Sequence, residues 1–300
     1  MSFPVEAAAR LCRFVLGLPL GFKIQHFVAR VLLRLAADFR PRGVVSTLFG
    51  FRMHVDPRDF IQRFVFVFGS WEPTLSDVFR RQLKPGDGFV DIGANVGYFS
   101  LLAGKQVGST GFGWSFEVDS DIHDQLRRNL SLNDMTNVEA RHQGVFKHRQ
   151  TLYVSKGDIS NSGLTSAGSE VSAGAEAVEA IPLDELAGNS NTGRVRLVKI
   201  DVEGAEKQVL EGMQEFLRKA HPDVVVAVEI APDRMNNGMK DAREIFAMMG
   251  RNGFRAYALE NDYQIKEYIQ PQVPAKLIFT ETPLLRQSDY IFSRSGNFLA

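Results

Sequence analysis

The sequence predicts an α/β protein: a mostly parallel sheet with helices on both faces, preceded by an N-terminal helical and extended accessory segment. Three observations lead there. From residue 86 onward, short apolar segments such as FVDIG, GWSFEV, VRLVKID and DVVVAVEI alternate with stretches whose apolar residues recur at helical spacing, as repeated β-α units do. These strands are nearly continuously apolar, which is expected where both faces of a sheet are covered. The first of them passes through a glycine turn, DIGANVGYF, directly into a helix. Sheets of this kind bind ligands there, above the C-terminal ends of their strands.

The N-terminal part comes first. Residues 1–40 read as an amphipathic helical segment, with Val28, Val31, Leu32 and Leu35 at helical spacing. Arg10, Arg13, Lys23, Arg30 and Arg34 interrupt it, so no run approaches the ~20 uncharged residues of a membrane span. Arg13 also splits the core that a signal peptide would need. Such a helix packs on the domain, on a second copy in a homo-oligomer, or on a membrane surface. Residues 41–85 form an accessory region. VVSTLFGFRMHV and IQRFVFVF read as extended segments, the second from its near-alternating bulk. The stretch GSWEPTLSDVFRRQL opens a helix with an apolar stripe of Leu75, Phe79 and Leu83, for which Thr74 or Ser76 is the expected cap.

Residues 86–300 make the main domain. Strand FVDIG leads to helix YFSLLAGKQV, strand GWSFEV to helix DIHDQLRRNLSL, and strand NVEARHQGV to TLYVSK. Strand VRLVKID precedes one long helix, EKQVLEGMQEFLRKA; DVVVAVEI precedes helix DAREIFAMMGRNG; FRAYALE and DYIFSR are the last strands. Residues 155–177, rich in Gly, Ser and Ala, read as a solvated linker or as a loop on the substrate side of the sheet.

Composition narrows the function. Lys+Arg and Asp+Glu both number 35, and a neutral chain argues against an enzyme gripping many nucleic-acid phosphates. Cys12 is the single cysteine, which excludes an internal disulfide and a zinc-thiolate cluster and fits a reducing cytoplasm.

The glycine turn is a poor phosphate loop, because it lacks both a GK[ST] ending and a close G-x-G-x-x-G triplet. Gly93 and Gly97, flanking Ala94 and Asn95, are expected to leave room for a ligand beside the backbone. Asp91, facing the pocket, would attract a cation. Glu117 ends the second strand, where an acid can accept both hydroxyls of a ribose. A carboxylate that terminates an apolar strand is costly without a partner, so a purely structural role for Asp91 or Glu117 is disfavoured. A ribose-binding acid beside a cation-attracting turn describes S-adenosylmethionine, which has a ribose, a sulfonium and an ammonium but no phosphate.

Lys199, Asp201 and Glu203 end the fourth strand and Glu229 the fifth. Lys199 and Asp201 alternate onto one face of their strand, so both reach the same cleft. Asp201 is the leading candidate for a base or acceptor anchor, with Lys199 orienting it and Glu229 as second candidate base. Glu203 and Glu206 also suit the positive end of the following helix. Asp201, Glu203 and Glu229 can gather round a hard cation, but no ligand spacing demands one, so no metal is expected. The histidines form no obvious catalytic pair, although His142 lies near a strand end.

DIGANVGYFSLLA, the SFE of the second strand, RRNLSLNDMTNV, PLDEL at 182–186 and KIDVEGAEKQVLEGM together resemble the FkbM family of S-adenosylmethionine-dependent methyltransferases, over residues 60 to 294. The resemblance implies a Rossmann-like class I methyltransferase fold with a seven-stranded sheet, DYIFSR supplying an antiparallel strand. It implies cofactor contacts at Asp91, Gly93, Ala94, Asn95, Gly97 and Glu117, with Gly144 and Val145 beside the adenine. Val118 would pack on the adenine, although the family more often reads FEP than FEV. GSWEP resembles the family's segment before the first strand, and Glu72 within it joins the cofactor-binding set. The implied activity is O-methylation of a sugar, glycolipid or polyketide-type hydroxyl, with no nucleic-acid partner. The alternatives are a nucleic-acid or protein methyltransferase, which the missing NPPY-type motif disfavours, and a non-catalytic cofactor-fold binding protein. A nicotinamide oxidoreductase is disfavoured by the absent G-x-G-x-x-G.

Overall fold

The computed structural model describes residues 3–155, 166–168, 175–259, 264–271 and 273–295. Two helices, α1 (Phe3–Leu16) and α2 (Phe22–Ala37), precede a hairpin of β1 (Gly43–Ser46) and β2 (Arg52–Val55), then α3 (Phe60–Phe68) and α4 (Pro73–Gln82). The β-α units follow: β3 (Gly88–Ile92), α5 (Tyr98–Val107), β4 (Phe112–Glu117), α6 (Ser120–Leu132) and β5 (Val138–His142). Next come β6 (Gly144–Val145), β7 (Gln150–Ser155), β8 (Ser166–Gly168) and β9 (Glu176–Ile181), then β10 (Val195–Ile200), α7 (Glu206–Glu211) and α8 (Gln214–Lys219). The chain continues through β11 (Val225–Ile230), α9 (Met239–Arg251), β12 (Arg255–Leu259), α10 (Ile265–Ile269), β13 (Leu277–Thr280) and β14 (Ser288–Ser293).

Among the described residues the main sheet has eight strands, in the order β13-β12-β14-β11-β10-β3-β4-β5. The five strands from β11 to β5 run parallel. β14 is antiparallel to both β11 and β12, as expected for DYIFSR. The eighth strand, β13, is an edge addition paired antiparallel with β12, and the sequence reading did not foresee it. The direction of winding reverses between β3 and β10, with Lys199 opposite Asp91 and Ile200 opposite Ile92. That switch point is where an open α/β sheet leaves a crevice. A second sheet, β6-β9-β7-β8, stands beside it. Its strand β8 falls inside the Gly/Ser/Ala-rich stretch, most of which lies outside the described residues.

Three expectations are corrected. IQRFVFVF is helix α3, not a strand. Asp59 caps it by accepting a 2.9 Å bond from the Gln62 N–H, and Gly69, at φ 76°, closes it. The helix is buried at Gln62 and throughout Phe64–Phe68, so it has no polar stripe to reveal a helical period. Neither Thr74 nor Ser76 caps α4, which starts at Pro73 behind Glu72; the Ser76 hydroxyl donates instead to the Trp71 carbonyl at 2.8 Å. EKQVLEGMQEFLRKA is two helices, α7 and α8. At the break a Cβ on Gly212 would lie 2.1 Å from the Phe146 carbonyl oxygen, so only glycine lets the two segments meet. Finally, β9 and α10 are elements that the reading left unassigned.

One apolar cluster joins Val5, Ala36, Val45, Phe64, Leu101 and Ile291. Residues 1–40, 41–85 and 86–300 therefore share a core. No described helix is long and apolar enough to cross a membrane.

Candidate active site

Above the C-terminal ends of β3, β4, β10 and β11 lies a cavity of about 250 Å³. Its floor is the β3–α5 turn, from Ile92 to Val96, and its sides carry Glu117, Lys199, Asp201 and Glu229. Val118, Gly144, Val145, Phe146 and Leu152 form an apolar slot next to Glu117. The opposite wall is Phe60, Ile61, Trp71 and Glu72, all from the accessory region.

Gly93 lines the cavity as expected, but the glycines of the turn also answer to the backbone and packing around them. Gly93 has φ 78°, and a Cβ on it would fall 1.8 Å from the Asp201 carbonyl oxygen. The turn is thus pressed against the end of β10, where the Asp201 N–H also bonds the Ile92 carbonyl at 3.0 Å. Gly97 has φ 93°, a Cβ on it would fall 2.5 Å from a terminal methyl of Leu126 in α6, and it does not line the cavity. Main-chain packing demands glycine at position 93, and the left-handed backbone favours it at position 97.

Asp91 is displaced from its expected place. It is fully buried, is absent from the cavity wall, and accepts a 2.6 Å bond from the Ser100 hydroxyl of α5. Its Oδ1 has no hydrogen-bond partner among the described residues. Burial pushes its pKa up, against the pull of the Lys199 ammonium and the Ser100 bond. Asp91 stands opposite Lys199 in the sheet, and its charge pulls the Lys199 pKa upward.

Glu117 is buried and aimed at the cavity. Its Oε2 accepts from the Asn95 N–H at 2.8 Å, and its Oε1 from the Val118 and Asp119 N–H groups at 2.9 and 3.0 Å. These bonds fix the carboxylate plane while lone pairs remain for a ligand. Burial raises its pKa to about 7, although the three N–H donors oppose the rise.

Lys199 and Asp201 meet in the cavity as expected, Nζ to Oδ2 at 2.9 Å. Lys199 also lies over the Phe99 ring, 5.3 Å from its centroid. Burial alone would depress the ammonium, but Asp201, Asp91 and Glu72 around it hold it above the usual lysine value. Oxygens of Asp201, Glu203 and Glu229 come within 4.8 Å of one another. Each already has a donor: Lys199 for Asp201, Arg234 for Glu203 and Gln287 for Glu229. Lys199 and Arg234 carry charge to the first two, while the donor to Glu229 is a neutral amide. Glu206 is off the cavity wall and accepts from the Gly204 N–H at 2.8 Å, the helix-start role anticipated for it. His142 stacks on His123 and lies 3.0 Å from the Val118 carbonyl, behind the slot.

Sequence reasoning missed Arg234, Gln287, Phe60 and Ile61 as site residues. It also missed a backbone signature. Among the described residues, the non-glycines with positive φ are Glu72, Asn95, Asp134 and Glu203, and three of these four line the cavity. Left-handed backbone at a non-glycine costs of order 1–3 kcal/mol and persists where the surroundings impose it, often at functional sites.

The model of the methyltransferase FkbM domain matches residues 91–256, more than half of the chain. The chain belongs to the FkbM methyltransferase family. Among solved structures, an FkbM methyltransferase from Methylobacillus flagellatus is 14% identical, with 77% of this chain and 52% of that chain covered and a TM-score of 0.42. An rRNA methylase from Streptococcus thermophilus is 12% identical, covering 73% and 93%, with a TM-score of 0.43. The O-methyltransferase TomG from Streptomyces achromogenes, solved with S-adenosylmethionine, is 13% identical, covering 75% and 79%, with a TM-score of 0.43. No protein of curated function matches the sequence.

This FkbM methyltransferase uses S-adenosylmethionine, and its own residues fit that cofactor. Glu117, with both oxygens oriented by backbone N–H groups, suits ribose hydroxyls, and the slot of Val118, Gly144, Val145 and Leu152 suits an adenine ring. Asn95, Ala94 and Glu72 line the remainder. Glu117→Ala should weaken S-adenosylmethionine binding at least tenfold by calorimetry, since a hydrogen bond to a charged group contributes about 1.5–3 kcal/mol. An unchanged affinity in a folded variant would remove Glu117 from the ribose.

The raised pKa adds a pH dependence. Hydroxyl donors favour the carboxylate form, so affinity should climb towards pH 7 and binding should release protons. The stability effect has the opposite direction. Folded Glu117 keeps its proton to about pH 7, whereas the ordinary value is 4.5, so the free protein loses stability as pH rises between them. Glu117→Gln should flatten that slope in thermal melts, leaving the share of Glu206, which burial likewise raises to about 7.

Proposed function

We propose that this chain is a cytoplasmic O-methyltransferase that methylates a hydroxyl of a sugar, glycolipid or polyketide-type acceptor. In this reading residues 86–300 carry catalysis, residues 41–85 form a wall on the acceptor side, and residues 1–40 contact a partner surface. The observation that carries it is the Asp201 carboxylate, in the cavity and held 2.9 Å from the Lys199 ammonium, with Glu229 on the same rim.

When bound, S-adenosylmethionine supplies a methyl group on a sulfonium, a leaving group that needs no acid. An alcohol is a weak nucleophile, so the protein's task is to align it, dry it and take its proton. Asp201 is placed to accept the hydroxyl proton as the new C–O bond forms. Lys199 keeps Asp201 in that orientation, and the buried charges of Asp91 and Glu72 keep Lys199 protonated. Glu229, held by Gln287, is the second group able to receive the proton. Phe60, Ile61 and Trp71 exclude water from the same space.

The test is S-adenosylhomocysteine release from the purified protein with three substrate panels: hydroxyl-bearing glycans, glycolipids and polyketide alcohols; RNA; and proteins. Turnover confined to the first panel supports the reading. Turnover on RNA or protein with none on the hydroxyl panel overturns it in favour of nucleic-acid or protein methylation, and cofactor binding with no turnover favours a binding protein.

A further inference from the structure

The N-terminal helices are only half used by the core. Ala29 and Ala36 of α2 are buried, and the Gln25 side-chain amide ties α2 to α1 through the Leu16 and Leu18 carbonyls at 3.1 and 3.2 Å. The opposite face of α2 carries Ile24, Phe27, Val31 and Leu35, which are 54, 66, 38 and 65% exposed. Their spacing of three, four and four residues makes one continuous apolar stripe on the helix. On the packed part of a soluble protein such a stripe would be covered. α1 adds Leu11 and Phe14, 62 and 67% exposed.

Charge accompanies the stripe. Lys23, Arg30 and Arg34 are exposed and recur seven and four residues apart, forming a row along one flank of the apolar residues. α2 contains no acidic residue. In residues 3–42, seven Lys or Arg stand against Glu6 and Asp38, in a chain whose total charge is zero. Glu6 is already engaged by Arg10 and by the Ser46 N–H. Arg10 and Arg13 lie by Glu6, and Arg42 pairs with Asp56, so the basic charge beside the exposed apolar face is the row of Lys23, Arg30 and Arg34.

We propose that α1 and α2 dock this protein on an anionic lipid surface. The helix lies in the interface plane, with Phe27, Val31 and Leu35 entering the acyl boundary and Lys23, Arg30 and Arg34 at the headgroups. The helices are too short and too charged to span. A second copy of the chain is a poorer occupant. A two-fold contact opposes the same patch on both partners, which would set the basic rows near each other with no acid on α2 to receive them. The inference rests on surface composition alone and does not depend on the methyl-transfer reading.

The experiment is flotation of the full-length protein with phosphatidylcholine vesicles, with and without phosphatidylglycerol, alongside light scattering after gel filtration. Binding is expected only with the anionic vesicles and should fall steeply with added salt. Arg30→Gln/Arg34→Gln should weaken it by about 25-fold, about fivefold per charge removed. Phe27→Ser/Leu35→Ser should weaken it by on the order of 10-fold or more, with circular dichroism, melting temperature and S-adenosylmethionine affinity unchanged because these side chains are exposed. No flotation with either vesicle overturns the proposal, as does flotation that neither double variant alters. A dimer that Phe27→Ser/Leu35→Ser splits, without vesicle binding, assigns the face to self-association instead.

Discussion

Replacing Asp201 by asparagine is expected to leave a folded, cofactor-binding protein whose turnover is lower by on the order of 10²–10⁴-fold, the span for a lost acid–base group. The substitution keeps the side chain's size and one acceptor oxygen, so the contact with the Lys199 Nζ at 2.9 Å survives in a weaker, neutral form. What disappears is the capacity to take a proton. If Asp201 acts in the transition state, kcat falls and KM stays near its starting value; if it only anchors the acceptor, KM rises instead. A variant with both constants near normal would transfer the role to Glu229. Loss of S-adenosylmethionine binding would show that Asp201 serves the cofactor.

The second large effect is structural and reaches the same residue from its backbone side. Gly93→Ala should destabilise the protein by roughly 3–5 kcal/mol, beyond the ordinary range for a point substitution. The added methyl would lie 1.8 Å from the Asp201 carbonyl oxygen at a residue with φ 78°, and a main-chain atom cannot swing aside as a side chain can. Gly253→Ala is the control. Gly253 has a similar φ of 81°, but a Cβ there meets nothing within 4 Å, so it reports the cost of the left-handed backbone alone, about 1–2 kcal/mol. Thermal or urea unfolding separates the two. Equal losses would mean that the contact between the glycine turn and β10 adds nothing.

The parts of this site that could be read from sequence are those whose function and local structure share one short segment. Glu117 and Asp201 end apolar strands, and at such a place a carboxylate announces itself. The glycine turn was legible as a junction, though its reason was not, because the atoms that crowd Gly93 belong to a strand more than a hundred residues away. Asp91 shows the limit of reading strand ends: alternation puts it on the face of β3 that meets Ser100 of α5, and no local pattern distinguishes that face from the open one. α3 reads as a strand because its last five residues, Phe64–Phe68, are all apolar and all buried, and such a run shows no helical period. Arg234 and Gln287 left no signal, since the first lies in the loop after β11 and the second precedes a strand inserted antiparallel into the sheet. Such residues are brought in by topology, which a one-dimensional pattern does not encode.

The wall made of Phe60, Ile61, Trp71 and Glu72 has a consequence for how such a molecule changes over time. The groups assigned to the methyl donor, from Gly93 through Glu117 to Gly144, fall inside the matched stretch of residues 91–256, while that wall precedes it. The apolar part of the proposed acceptor wall, Phe60, Ile61 and Trp71, is therefore written outside the matched piece that carries Asp201, Lys199, Glu229 and the donor side of the cavity. On the proposed reading, drift at Phe60, Ile61 and Trp71 would reshape the acceptor side while the matched piece keeps its hold on the methyl donor, and exchanging those three side chains between relatives is the corresponding route for an engineer.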